Sequence, residues 1–423
     1  MIYYPRILLN KVLEFLRPGK VIIIVGARRV GKTVFLSQIQ ERLDEPALFL
    51  NGEDMTTVDL LGAKRAEQYR RLLQGKSLLI IDEAQKIENI GAIIKLIVDH
   101  IPEIKVILTG SSAFELGNRF GEALTGRKFT LHLYPLCFRE FAMNENPLEL
   151  LERTEDRMVF GGYPEVWRLD DPTQRIAYLK ELVNDYLFRD LLEFENVRNA
   201  SKLRDLLRLI AHQTGREVSN HELGRQLGIN KNTVDRYLDL LSKVFIIFRV
   251  QGFSRNLRKE ITKNRRWYFH DNGVRNVFLA NFKRPDLRDD LGGLWENYIV
   301  SERIKTLSYR LDHANTYFWR TYDQQEIDWV EERDSQGQLS RMAGRGVRRE
   351  TGDRRRETGD RRPETGDRRP ETGDRRPETG KEVQSNGLLF AIYYLSSSRS
   401  ASFKCFINRN LSQIFRIVKL IVF

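Results

Sequence analysis

The first 140 or so residues alternate short, continuous apolar runs with stretches of helical periodicity. Val21 to Val25, Ala47 to Leu50, Leu78 to Ile81 and Val106 to Leu108 have no polar alternation. That is the pattern of strands buried on both faces, and it predicts a parallel sheet covered by helices. Phe129 to Leu133 predicts one more strand and closes an α/β domain near Pro135. From about Leu148 to Thr214 the period becomes helical, with Leu179, Leu182, Val183, Tyr186, Leu187 and Leu191 at three-to-four spacing; the turn Gly161-Gly162-Tyr163-Pro164 interrupts it. Residues 202–250 predict three compact helical segments, alternating runs lead to Trp267-Tyr268-Phe269, and a second α/β segment runs from about Leu291 to Gln336.

Beyond that point the character changes. A seven-residue unit, Arg-Arg/Pro-Glu-Thr-Gly-Asp-Arg, recurs from Arg348, Arg355, Arg362 and Arg369, with a partial copy at Arg376. Gly and Pro inside the unit and the lack of any apolar residue exclude a coiled coil and predict disorder. Residues 382–423 mix Ser, Phe, Ile and Leu without a period and receive no assignment.

Composition changes this picture little. The 423 residues carry a formal net charge of +12, but the excess is concentrated from Arg341 onward, where 19 basic residues face 10 acidic ones. The charge therefore gives no argument that the body of the chain binds nucleic acid. Cys137 and Cys405 are far apart and have no partners at metal-ligand spacing, which excludes a disulfide scaffold and a structural zinc site. No stretch approaches the ~20 apolar residues of a membrane span, and Met1 to Arg6 does not read as a secretory signal. A soluble, reducing, cytoplasmic setting with no membrane partner is expected.

The candidate chemistry lies at the ends of the predicted strands. Gly26-Ala27-Arg28-Arg29-Val30-Gly31-Lys32-Thr33 fits GxxxxGK[ST], directly after one strand and opening a helix. Glycines let the backbone wrap a phosphate with its N–H groups inward, and the helix N-terminus adds a favourable dipole. Lys32 would reach the β- and γ-phosphates of ATP and Thr33 would ligate Mg2+. Asp82 and Glu83 end a buried strand, where Asp82 would serve the metal and Glu83 would orient or deprotonate the attacking water. If the strand ending in Thr109-Gly110-Ser111 lies between the first strand and the Asp82 strand, Thr109 or Ser111 could sense the γ-phosphate; the alternative is a polar strand exit. Arg127 is either an arginine finger or a salt-bridged surface residue.

GARRVGKT, LLIIDEAQ, ILTGSS, LTGR, YPLCFREF, GGYPEV and DYLFRD, in that order, resemble a prokaryotic family of AAA-type ATPases. In that family the ATPase domain is coupled to a winged-helix segment and a C-terminal domain similar to restriction endonucleases. The resemblance covers roughly residues 1–332 and implies an ATP site at Gly26 to Thr33, Asp82 and Glu83. It suggests a P-loop NTPase domain over 1–145, a helical lid over 146–200, a winged helix-turn-helix over 201–285 and a truncated nuclease-like domain over 286–338. The repeat over 339–381 and the tail over 382–423 would follow.

Ser219 to Glu222 reads as a capping box that starts a short helix ending at Leu227-Gly228, and a second helix follows from Asn230. If this pair reads duplex DNA, Lys231, Asn232, Thr233 and Arg236 would face the major groove. Otherwise the unit joins domains or contacts another protein, and Asp235 and Asp239 would repel phosphates. Glu296, Glu326 and Asp328 resemble the acidic half of a PD-(D/E)xK nuclease core, but no Glu-x-Lys follows, so no nuclease activity is expected. The chain is thus expected to be an ATPase switch or, alternatively, a nucleotide-regulated DNA- or protein-binding regulator with little turnover.

Overall fold

Five-residue apolar runs without a polar break become the centre of the first sheet. In the computed structural model, which describes residues 4–62, 65–111, 123–187, 199–253, 265–320, 326–333 and 339–342, α1 (Leu8–Phe15) leads into β1 (Val21–Val25) and α2 (Lys32–Leu43). There follow β2 (Ala47–Asn51), α3 (Met55–Leu61), α4 (Ala66–Leu72), β3 (Leu78–Asp82), α5 (Ile90–His100), β4 (Lys105–Gly110) and β5 (Lys128–His132). The strands form one parallel sheet in the order β2-β3-β4-β1-β5. β1 and β3 are buried at every position, as is β4 beyond Lys105. β2 departs from the expected two-sided burial because it is an edge strand, with Phe49 38% exposed. With β4 between β1 and β3, the carboxyl ends of these strands bring together the Gly26 turn, Asp82 and Thr109, at the sheet edge where ligands of such folds bind.

Four short helices come next: α6 (Phe138–Phe141), α7 (Pro147–Glu152), α8 (Thr154–Phe160) and α9 (Pro172–Glu181). The last continues as a π-helical turn over Leu182–Leu187, and Leu191 lies outside the described residues. α10 (Ala200–His212), β6 (Glu217–Val218), α11 (Asn220–Leu227) and α12 (Lys231–Lys243) follow, each helix burying one amphipathic stripe. In α12 that stripe is Val234, Tyr237, Leu238, Leu240 and Leu241.

The chain then forms β7 (Ile247–Gly252), β8 (Arg265–Phe269), α13 (Asn272–Leu279), α14 (Leu291–Arg310), β9 (Asn315–Arg320), β10 (Glu326–Glu332) and β11 (Leu339–Met342). These strands and β6 form a second sheet in the order β11-β10-β9-β7-β8-β6.

The segments on either side of residue 285 share one hydrogen-bonded ladder, because β7 pairs in parallel with β9, Gln251 against Tyr317 and Gly252 against Phe318. Two expectations need correction. The expected repeat segment from 339 begins with a strand, β11, whose backbone pairs with β10 from Trp329↔Met342 to Glu332↔Leu339. Finally, Ser219 occupies the N-cap of α11 by its backbone, but its side chain makes no cap hydrogen bond, and Glu222 accepts from Gln226 at 3.4 Å instead of reaching back. Residues 343–381 and the tail 382–423 lie outside the described residues. Among the described residues, no helix is long and apolar enough to cross a membrane.

Candidate nucleotide-binding site

The loop after β1 is shaped by close backbone approach. A Cβ on Gly26 would lie 2.2 Å from the Leu133 carbonyl oxygen, so only glycine fits there. Arg29 and Gly31 are left-handed, with φ of 63° and 92°, on either side of the buried Val30. Gly31 is the N-cap of α2 and supplies no capping side chain, so the loop and the helix start present their N–H groups to an anion. Ala27 is buried, while Arg28 and Arg29 line the adjoining cleft.

The side chains expected to do the chemistry meet in this cleft. The Thr33 hydroxyl donates to Asp82 Oδ2 at 2.5 Å, and the Thr109 hydroxyl donates to Asp82 Oδ1. The Glu83 N–H donates to Thr109 Oγ1 at 3.0 Å and to Asp82 Oδ1 at 3.2 Å. Lys32 Nζ stands 3.4 Å from Glu83 Oε1 and donates to the Gly26 and Ala27 carbonyls at 3.2 and 3.3 Å. Burial would raise the Glu83 carboxyl, but the Lys32 charge and hydrogen bonds from Gln85 and Lys32 outweigh it and hold Glu83 below its ordinary range. Thr33 and Asp82 offer the hard oxygen donors that fit Mg2+, which takes one or two protein oxygens and fills its remaining positions with water and phosphate. Among the described residues no group of three or more His, Cys, Asp or Glu could hold a metal without such help.

Thr109 and Ser111 do not line the cleft. Thr109 sits behind Asp82 and Glu83, and Ser111 accepts a hydrogen bond at 3.1 Å from Gln85, which also donates to Glu83 Oε2 at 2.5 Å. In this arrangement both side chains brace the acidic pair, Thr109 directly and Ser111 through Gln85. Sequence reasoning passed over Gln85, although it lies two positions beyond Glu83. It also missed the opposite wall. The cleft, about 800 Å3, is closed by Tyr4 and Arg6 from the N-terminal segment and by Glu165, Arg168 and Tyr178 from the helical segment. Apart from Glu165, within Gly161 to Val166, these residues carry no local motif, and only the tertiary fold brings them to the loop.

Arg127 does not line this chain's own cleft. It immediately precedes β5 at the end of the sheet opposite the phosphate loop, a strand length of about 16 Å away. There it pairs with Asp99, and its side chain is 39% exposed.

At the start of α12, Lys231, Asn232 and Arg236 are exposed and Thr233 is half-buried. Thr233 is engaged by the Asn230 cap, which accepts from its N–H at 2.8 Å and from its hydroxyl at 3.0 Å. Carboxylates of β10 and α14 surround a cation of the protein itself. Arg266, 3% exposed in its side chain, stands 2.8 Å from Asp328, 3.0 Å from Glu326 and 3.8 Å from Glu296. Arg266 is thus lodged where a nuclease core would need its carboxylates free for a metal.

Residues 18–142 match the family model described as an AAA domain, and residues 151–285 and 291–340 match two domains of unknown function, DUF8612 and DUF4143. The AAA match covers the five-stranded sheet and its phosphate loop, and with the DUF4143 match it supports an AAA-type family and a nucleotide-binding ATPase. The chain is 27% identical over 266 residues to an uncharacterized protein of Methanocaldococcus jannaschii, covering 58% of this chain and 60% of that one. It is 24% identical over 345 residues to an uncharacterized protein of Haemophilus influenzae, covering 76% and 82%. The match thus spans less than two thirds of the archaeal relative. Among solved structures, the Thermotoga maritima RuvB Holliday junction branch migration motor is 16% identical, covers 55% of this chain and 82% of that chain, and gives a TM-score of 0.27.

Proposed function

We propose that the chain binds Mg-ATP in the cleft at the carboxyl ends of β1, β3 and β4 and hydrolyses it as a molecular switch. The observation that carries this reading is the convergence of four side chains of complementary role, with Thr33 2.5 Å from Asp82 and Lys32 3.4 Å from Glu83. Lys32 clamps the β- and γ-phosphates, Thr33 and Asp82 hold Mg2+, and Glu83 orients the attacking water. Mg2+ held by Thr33 and Asp82 would supply positive charge to offset the negative charge that develops during phosphoryl transfer. In the resting chain Lys32 is engaged by Glu83 and by loop carbonyls, so an arriving phosphate both takes up the lysine and releases the carboxylate toward water. A cytoplasmic setting accompanies this reading.

A second reading concerns α11 and α12, which would contact duplex DNA as part of a winged helix. It is supported by the succession of α10, α11 and α12 with the β6-β8-β7 strands and by exposed Lys231, Asn232 and Arg236 at the start of α12. Asp235 accepts from Asn220 and lies 3.7 Å from Arg265, which tempers its repulsion of phosphates. ATP turnover measured with and without Mg2+ and duplex DNA tests both readings. Turnover stimulated by DNA supports the switch with a DNA partner. A slow rate indifferent to DNA favours a regulator that acts through a protein. Absence of Mg2+-dependent turnover removes the ATPase reading.

A further inference from the structure

The segment from Tyr134 to Glu140 lies between the phosphate loop and the C-terminal helix α14, and buried polar groups join all three. Toward the loop, the Arg6 guanidinium donates from Nη1 to the Val30 carbonyl at 2.9 Å, from Nε to Glu140 Oε1 at 3.0 Å and from Nη2 to the Tyr134 carbonyl at 2.5 Å. The same Nη2 donates to the Tyr309 hydroxyl at 3.3 Å. Toward α14, that hydroxyl also accepts the Tyr134 N–H at 3.1 Å, and Glu302 accepts the Phe138 N–H at 2.7 Å. Lys305 pairs with Glu302 at 2.9 Å and donates to the Leu136 carbonyl at 3.3 Å. Arg6 is 6% exposed, Glu140 0%, and Glu302 and Lys305 2% each.

Two features make this more than a structural brace. Val30, whose carbonyl Arg6 holds, is flanked by two left-handed residues, Arg29 and Gly31. The hydrogen bond from Arg6 therefore restrains the peptide on which the direction of the loop's N–H groups depends. Arg6 also lines the nucleotide cleft, so it is set at the boundary between ligand and scaffold. A planar five-donor fork serves four acceptors at once, which a lysine cannot do.

We propose that Arg6 is a positioning residue for the phosphate loop and that Tyr309, by sharing its guanidinium, makes nucleotide affinity depend on the seating of α14. This rests on the Mg-ATP reading above. Because coupling between two sites is reciprocal, ATP in the cleft tightens α14 by the same factor that α14 lends to ATP affinity. The nucleotide state is thereby transmitted to α14, whose Tyr309 lies 303 residues along the chain from Arg6.

The test uses the full chain. Hydrogen exchange across Leu291–Arg310, followed with and without Mg-ATP, is expected to slow on binding; unchanged exchange there while the loop becomes protected overturns the proposal. Tyr309→Phe keeps the ring and removes the shared hydroxyl, and is expected to weaken ATP binding by roughly three- to ten-fold, the value of a hydrogen bond or two at the upper end of the usual range. A purely structural role would lower the melting temperature and leave ATP affinity at the parent's value, and that result also overturns the proposal. Arg6→Lys combined with Tyr309→Phe is expected to be little weaker than Arg6→Lys alone; effects that multiply show independent sites. If the parent chain itself binds no ATP, the nucleotide reading fails and this proposal with it.

Discussion

Glu83→Gln separates ATP binding from ATP chemistry. The substitution keeps the size of the side chain and removes both a base and the negative charge 3.4 Å from Lys32 Nζ. At that distance and an effective dielectric of about 20, the attraction is about 5 kcal/mol before desolvation is counted. The two side chains are only 4% and 18% exposed, so the cost of burying the charges offsets most of it. What remains competes with phosphate for Lys32. ATP affinity in Glu83→Gln is therefore expected to equal the parent's or to tighten by up to about ten-fold, equivalent to roughly 1.4 kcal/mol. Turnover is expected to fall by about 10²- to 10⁴-fold, the contribution of a positioned general base, or roughly 2.7 to 5.5 kcal/mol of barrier. Phosphate release in steady state and equilibrium binding of a fluorescent ATP analogue measure the two quantities. Lys32→Ala serves as the contrast, since it removes the phosphate anchor and should abolish binding while Glu83 stays in place. Equal turnover in parent and Glu83→Gln would refute the role of Glu83. A loss of ATP affinity as large as that in Lys32→Ala would move Glu83 from the reaction to the binding surface.

The Lys231→Ala and Arg236→Ala pair should weaken duplex binding by roughly 1 to 3 kcal/mol if α12 enters a groove, with little change in ATP turnover; unchanged binding at fixed salt returns the element to a structural role. Burial, followed by the charge of Asp328, lifts the Glu296 carboxyl from its ordinary 4.5 to about 7 against the pull of Tyr268 and Arg266. A carboxyl raised in the folded state costs nothing below about pH 4.5 and destabilises increasingly as pH rises to about 7, so Glu296→Gln should flatten that part of the profile of urea midpoint against pH. An identical slope in the variant would contradict the assignment. A chain ending after Met342 keeps β11 paired with β10 and is expected to retain the parent's ATP turnover, because the repeat beyond has no apolar residue to bury; loss of turnover in that chain would show that the tail contributes to the site.

Much of the candidate nucleotide site was legible in the sequence because its parts are local. Val21 to Val25 and Leu78 to Ile81 announce buried strands by continuous apolar composition, and the loop and acidic pair follow them without a gap. Strand, turn and helix start are adjacent in the chain, so their order alone places Lys32, Thr33, Asp82 and Glu83 at one edge of a parallel sheet. Tertiary structure decided whatever depended on residues distant in sequence. Arg127 lies in a motif-like stretch, and only the parallel pairing of β5 with β1 fixes it at the end of the sheet opposite the phosphate loop. Glu296, Glu326 and Asp328 have the composition of a metal site, and only the β8 strand, laid beside β7 in the shared sheet, inserts Arg266 among them. Arg6 sits in an N-terminal segment with no motif of its own, and a guanidinium becomes a junction only when four acceptors are folded around it. A short-range pattern encodes backbone conformation and burial through the periods of strand and helix, whereas the pairing of a buried charge is settled by whichever opposite charge the rest of the chain packs against it.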